Sequence, residues 1–258
     1  MTAMIQNDGT LSRKPLKDEI FDILHKDILS GRYQAGSWLR QEEIATRLGV
    51  SATPVREALD LLVSSGLAER VAYRGVRVLK PSSPDILDAY EMRLLLEAVA
   101  AHSAAHNAQP EQLKRLGDLV RQGAGLLRLD DLPRSREVSR TLHGAIAQAS
   151  GNALLHRLYL DVLNAFPDWM LYEHLYRRPE LIEESLRSEQ REHQLIVEAL
   201  VARDADAAMH RAVEHVVERG RELEQYLRIP RGALAAREAK LQELIPSLKA
   251  RQHSNERS

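Results

Sequence analysis

Three histidines are placed to do chemistry together: His143, within SRTLHGAIAQASGN, His193 and His215. Each falls on the apolar stripe of a helical pattern. His143 shares its face with Ile146 and Ala147, His193 with Leu186, Val197 and Leu200, and His215 with Ala208, Ala212 and Tyr226. Three inward imidazoles from three helices form a donor set suited to a divalent transition metal such as Zn, Ni, Cu or Fe. Taken singly, each reads as a core histidine with its hydrogen bonds satisfied. A water-activating hydrolytic centre is the enzymatic alternative for the same set. No HExxH pattern is present and no evident general base accompanies the histidines, so the residues point away from an enzyme.

A second group, in VSATPVREAL (Val50 to Leu59), suits contact with DNA. At helical spacing Val55, Leu59, Leu62 and Val63 share one face, and Thr53, Arg56, Glu57 and Asp60 share the other. A helix that follows a short helix and a tight turn is the arrangement that enters the major groove. Ser51 and Thr53 offer hydroxyls and helix N-terminal amides to phosphate oxygens, and Arg56 can reach guanine or phosphate. Downstream, Tyr73, Arg74 and Gly75 form a tip suited to the adjacent groove, where glycine permits close backbone approach. The competing reading is a small interaction domain whose arginines are simply solvated.

These groups need elements to carry them. A chain of 258 residues exceeds the usual single domain, so two domains are expected. Net charge of −1 excludes a protein that is basic throughout, although residues 11–80 hold twelve Lys and Arg against nine Asp and Glu. The absence of cysteine removes disulfides, thiolate metal sites and Cys nucleophiles. No apolar leader and no run near ~20 apolar residues is present, so a soluble, cytoplasmic protein without membrane contact is expected.

Residues 1–14 read as a flexible arm. A helix from Leu16 carries Ile20, Ile23, Leu24 and Ile28 on one side and stops at Gly31. A second fits Glu42 to Leu48, closed by Gly49, and a third is capped by Ser51, has Pro54 in its first turn and runs to about Ser65. LAERVAYRGVRVLK reads as two strands around a turn containing Gly75. The pattern over 15–80 is a winged helix-turn-helix: three helices plus a β-hairpin wing. KPSSPD suggests a linker at 81–85. Residues 86–228 then read as an all-helical bundle of six to seven helices, with breaks near Pro110, Asp131 to Pro133, Gly151-Asn152, Pro179 and Asp204. Residues 229–258 form a C-terminal extension whose amphipathic stretch, Ala233 to Leu248, either extends a dimer contact or packs on its own domain. The fold class is mainly α.

Several of these stretches match known patterns. Ala35 to Leu39 follows PGxxL with alanine first, Ile44 to Leu59 follows LAxxLGVSRTPVREAL, Leu62 to Leu67 follows LxxxGL, and Arg74-Gly75 completes the set. Together they resemble the DNA-binding domain of the GntR family of bacterial transcription regulators. The resemblance implies DNA contacts from Ser51, Thr53, Arg56 and the wing tip, Arg74 and Gly75, with Arg40 grouped beside them. Ala52 stands where the family usually has arginine, so a different base preference is expected.

LHxxIxxASGN at 142–152, EHxxIxxAL at 192–200, DAxxA at 204–208 and then His215 are similar to the effector-binding FCD domain of the FadR subfamily. That resemblance implies a metal held by His143, His193 and His215 at the floor of a cavity, with an aspartate four residues before the first. Here that place is Ser139, a poor zinc ligand, so either water or effector completes the shell or affinity is reduced. YEMRLLLEAVAAHSAA resembles the first helix of the same domain. Arg93 and Glu97 are spaced as an ordinary helix-surface pair worth a few tenths of a kcal/mol. The resemblance instead puts Arg93 at the cavity, where its guanidinium can clamp a carboxylate. Ser139 and Asn164 are grouped with it as effector contacts. Trp169 and Tyr172 either line the cavity or pack in the bundle, and His102 and His106 read as surface or packing residues.

The function implied is a ligand-responsive, DNA-binding transcription regulator, more often a repressor. It would act as a homodimer on a palindromic double-stranded operator, with a small organic acid as effector. The alternatives are a sequence-tolerant DNA binder whose helical domain only dimerises, or a metal-dependent hydrolase.

Overall fold

A computed structural model describes residues 14–165, 178–226 and 229–245. Its N-terminal part is a three-helix unit with a small sheet. Helix α1 (Leu16–Leu29) buries Ile20, Leu24 and Ile28, spaced four apart, against α3. Helix α2 (Gln41–Leu48) ends at Gly49, whose φ of 66° permits the left-handed turn that aims the next helix. Helix α3 (Ala52–Ser64) buries Val55, Ala58, Leu59 and Leu62 and leaves Thr53, Arg56, Glu57 and Asp60 outside.

The wing is a three-stranded antiparallel sheet in the order β1-β3-β2, from β1 (Trp38–Leu39), β2 (Ala68–Val71) and β3 (Gly75–Val78). The hairpin was expected; β1 was not. Two residues are too few to show an alternating pattern, yet Trp38 pairs with Arg77 and Leu39 with Val76. Gly75, expected inside the turn, instead opens β3 at φ 106°, and Tyr73 takes the left-handed turn position at φ 62°.

The expected linker at 81–85 is mostly helix. Ser82 and Asp85 form a capping box, in which the Asp85 N–H donates to Ser82 Oγ (3.3 Å) and the Ser82 N–H donates to Asp85 Oδ2 (2.8 Å). With Pro84 in the first turn, they start α4 (Ser83–Asn107), the longest helix among the described residues. Proline and serine there mark a helix entry.

Beyond α4 come α5 (Pro110–Ala124), a 3₁₀ turn at Leu129–Asp131, α6 (Leu132–Ala149), α7 (Ala153–Ala165), α8 (Pro179–Val201), α9 (Ala205–Tyr226) and α10 (Ala233–Leu244). Every expected break coincides with a helix end. Pro110 and Pro179 open α5 and α8, Gly151 turns the chain at φ 78°, and Asp204 Oδ1 accepts from the Ala207 N–H at 2.9 Å. The central helix α4 packs on α6, α7, α8 and above all α9. Small residues allow this: a Cβ on Gly220 of α9 would sit 2.5 Å from Tyr90 Cε2.

One buried cluster runs without a break from Ile20, Val55 and Leu62 in the DNA-binding unit to Ile86, Tyr90, Leu132, Leu186 and Val213 in the helical domain. A second, holding Leu142, Ile146, Tyr159, Ile196 and Leu200, fills the rest of the bundle. Helix α10 packs on its own domain. Leu234 and Leu241 are buried, Arg237 pairs with Asp88 (2.8 Å) and Glu91, and the Tyr90 hydroxyl donates to Glu238 (2.6 Å). Among the described residues no helix is long and apolar enough to cross a membrane.

Candidate functional site

Two sites emerge, one on the surface of α3 and one inside the helical domain. On the first, Ser51, Thr53 and Arg56 are exposed together at the start of α3, and Tyr73, Arg74 and Gly75 are exposed at the wing tip. Ser51 occupies the N-cap position without a side-chain capping bond. The neighbouring cations divide into two sets. Arg47 is tied to Asp27, Arg70 to Asp60 and Arg77 to Glu69, so their charge is locally neutralised. Arg56 and Arg74 have no ion pair among the described residues, and the Arg40 guanidinium lies over Trp38, 5.7 Å from the ring centre. Arg56 and Arg74 are thus exposed charges with no carboxylate partner among the described residues, at the start of α3 and at the wing tip.

The second site is built by α4, α6, α8 and α9. His143 comes from α6, His193 from α8 and His215 from α9, each at most 4% exposed. Every pair of rings has its centroids 4.9 Å apart, and one ring nitrogen from each lies within 4.8 Å of the others. The closest approach is His143 Nε2 to His193 Nε2, 3.1 Å. Outer partners hold the rings: His143 Nδ1 is 3.4 Å from Glu97 Oε2, and His215 Nδ1 is 2.8 Å from Glu192 Oε2. A carboxylate behind a ligating imidazole fixes its orientation and strengthens its donor nitrogen.

Protonation favours the same use. Burial, then the charge of His215, lowers the His193 pKa well below its usual value, and burial and then His143 do the same for His215. Imidazoles kept neutral have lone pairs to give. Spacing, inward nitrogens and the neutrality of His193 and His215 therefore fit a divalent transition-metal ion, with one or more positions left for an oxygen ligand.

Around the triad lies a set of charges that sequence reasoning missed or misread. Arg93 and Glu97 are not a surface pair: they are 2% and 5% exposed, with Arg93 Nε donating to Glu97 Oε1 at 2.7 Å. Helical spacing is blind to this, because α4 is covered on nearly every side. Glu97 also accepts from the Tyr159 hydroxyl (2.9 Å), and Arg93 Nη2 lies 3.4 Å from His215 Nε2. Burial opposes ionisation of Glu97, but His143 and Arg93 outweigh it and hold its carboxyl well below the usual range. Ser139 Oγ donates to Glu189 Oε1 (3.1 Å), and Arg136 Nη2 binds Glu189 Oε2 (2.5 Å). Arg219 bridges Glu192 and Glu222.

Two small cavities flank the histidines. The first is lined by Ser135, Arg136, Ser139, Glu189, Gln190 and His193, the second by Glu97, His143, Ile146, Tyr159 and Ala212 among others. Each has room for about one water molecule. Arg93, expected to clamp an effector, lines neither and is committed to Glu97. Asn164 stands in the last turn of α7, its side chain outside the described part, and Trp169 and Tyr172 lie outside the described residues. His102 and His106 meet edge to face on α4, half-buried and exposed, and are not part of the triad's ligand group.

With this geometry in hand the chain can be compared with known proteins. Residues 16–78 match the bacterial regulatory proteins of the gntR family, and residues 88–218 match the FCD domain. It is 29% identical over 209 residues, 80% of this chain and 88% of the other, to a protein of Paenarthrobacter nicotinovorans named "Probable D-xylose utilization operon transcriptional repressor". It is 27% identical over 208 residues, 80% of this chain and 87% of the other, to the HTH-type transcriptional repressor RspR of Escherichia coli strain K12. The solved structure of E. coli McbR/YncC shares the fold, with a TM-score of 0.59 at 23% identity, covering 83% of this chain and all of that one. The N-terminal winged helix is thus a gntR-type DNA-binding domain, the helical part an FCD domain, and the chain belongs to the GntR family of bacterial transcriptional regulators.

Proposed function

We propose that this chain is a cytoplasmic, metal-carrying repressor that binds a palindromic operator as a homodimer and responds to a small carboxylate. The observation that carries the sensor half of this reading is the buried triad, His143, His193 and His215, with one nitrogen from each within 4.8 Å of the others. A divalent ion held there would act as a Lewis acid toward an oxygen of the effector.

Charge balance supports an anionic effector. Among the described residues the triad is ringed by three guanidiniums, Arg93, Arg136 and Arg219, beside the carboxylates Glu97, Glu189, Glu192 and Glu222. A divalent ion would add two positive charges there, which a ligand carboxylate offsets in part. Because the flanking cavities hold only about a water each, an organic acid must push the walls apart to enter.

That movement has a route to DNA. Helix α6, which carries His143, Ser139 and Arg136, packs directly on α1 of the DNA-binding domain. Burial is the main cause of the low pKa of His25 on α1, and the Arg136 charge adds a smaller lowering to it. A ligand changes operator affinity only as far as its affinity differs between the DNA-competent and incompetent arrangements, and DNA must change ligand affinity by the same factor. On the DNA side, Ser51, Thr53 and Arg56 would meet the major groove, and Arg40, Arg74 and Gly75 the flanking backbone and groove.

The test is a broad panel of carboxylic acids against Zn²⁺-loaded protein, read by thermal shift and by operator affinity. At least one acid should move both in the parent and neither in His143→Ala. If no acid moves either quantity, the effector reading fails.

A further inference from the structure

We propose that Glu189 is a carboxylate ligand of the three-histidine site, held in place by Arg136 and Ser139 and leaving a position for the effector oxygen. The inference deepens the metal reading above and rests on it.

Glu189 lies on α8 one turn before His193, so both side chains leave the same helix face. It is 4% exposed, and its Oε1 is 3.7 Å from His193 Nε2. Donor atoms sharing one ion through bonds of about 2.0–2.2 Å stand about 2.8–3.6 Å apart, for bond angles between about 90° and 109°. The two imidazole nitrogens at 3.1 Å already meet that spacing. Toward His193, Glu189 Oε1 at 3.7 Å misses that range by about a tenth of an ångström, and a χ adjustment would carry it toward an ion held by that nitrogen. The other carboxylates around the triad are used differently: Glu97 and Glu192 face the Nδ1 atoms of His143 and His215, on the outer side of each ring.

The residues around Glu189 fix which oxygen it presents. Arg136 holds Oε2 at 2.5 Å, and Ser139 donates to Oε1 at 3.1 Å. Oε1 is the oxygen on the His193 side, 3.7 Å from His193 Nε2, and a carboxylate oxygen accepts more than one bond. Ser139, itself a poor ligand, thereby acts as a positioning residue for a carboxylate that arrives from the facing helix. The resulting donor set is three imidazoles and one carboxylate.

The experiment uses the full-length protein with Zn²⁺ and Co²⁺ and three forms: parent, Glu189→Gln and Arg136→Gln. Zn²⁺ affinity is measured by chelator competition, and coordination by the Co²⁺ visible spectrum. Loss of an outer partner of a ligand costs about 10–100-fold in metal affinity. Glu189→Gln is expected to exceed 100-fold and to change the Co²⁺ band positions and intensities. Arg136→Gln, which keeps the carboxylate, is expected to keep the parent spectrum. The inference is overturned if the parent binds both ions and Glu189→Gln leaves the spectrum unchanged, or if the two variants behave alike, which marks a purely structural ion pair. Should Glu189→Gln fold poorly, the double variant Arg136→Gln/Glu189→Gln, which buries no lone charge, takes its place with the same expectation. A parent that binds neither ion overturns the metal reading itself.

Discussion

Metal loading gives the most quantitative prediction. Burial keeps His193 and His215 neutral in the folded protein, and the spacing of the triad leaves little rearrangement for binding. An ion that binds only the folded state stabilises it by about 2.7 kcal/mol at one hundred times its Kd. For a chain of about this size each kcal/mol raises the melting temperature by roughly 2–4 °C, so Zn²⁺ should raise it by about 5–10 °C. His193→Ala should abolish that rise. The pair His102 and His106, half-buried and exposed on α4, provides the control, since a double alanine variant there removes two other neighbouring imidazoles and leaves the triad intact. Differential scanning fluorimetry of chelator-stripped protein, titrated with Zn²⁺, reads the outcome. A parent whose melting temperature ignores the ion, or a His193→Ala variant that gains as much as the parent, would refute the reasoning.

Three further outcomes are expected. His25 is buried against α6 with its pKa lowered from 6.5 to about 4, chiefly by desolvation. The unfolded chain takes up that proton as the pH falls through about 6.5 while the fold does not. The stability His25 contributes is therefore complete above that value and is lost by about 3 kcal/mol on reaching pH 4. Denaturant titrations across this window should show the slope, and His25→Leu should flatten it. Gly220→Ala would drive a Cβ to 2.5 Å from the buried Tyr90 ring, so a loss of about 1–3 kcal/mol is expected in urea unfolding. Gly75→Ala imposes a side chain at φ 106° while meeting no neighbour. It should cost about 1 kcal/mol or more through backbone strain alone, with operator affinity falling as the wing loses its shape.

Much of this architecture was readable because its punctuation is chemical. Pro110, Pro179, Gly151 and Asp204 end or begin helices through a missing N–H, a left-handed φ or a capping oxygen, and each does so here. The same chemistry misled once. KPSSPD read as a linker because Pro and Ser favour loops, but Ser82 and Pro84 are equally the signature of a helix start. Strand β1 escaped because two residues have no period.

In the helical domain the histidines were visible as polar residues on apolar stripes, whereas the charges that hold them were not. Arg93 and Glu97 sit in an alanine-rich helix with apolar residues on several faces, so no spacing distinguishes inside from outside. Glu189 left a usable signal. It falls within Ile182, Leu186, Glu189, His193 and Ile196, a stripe whose other members are apolar or a candidate ligand. An acid in that company is a buried acid that needs a partner. Arg136 left no such trace, because its partner comes from another helix.

The polar face of α3 carries the central prediction of DNA contact. Fluorescence anisotropy with an operator selected from random duplex DNA, across a salt series, compares the parent with Thr53→Ala/Arg56→Ala. Both residues are exposed and neither supports the core, so the variant should fold normally. It should bind at least tenfold more weakly, with a salt dependence shallower by about one phosphate contact. Equal affinity and an equal salt slope for the two proteins would contradict the placement of this helix in the DNA groove.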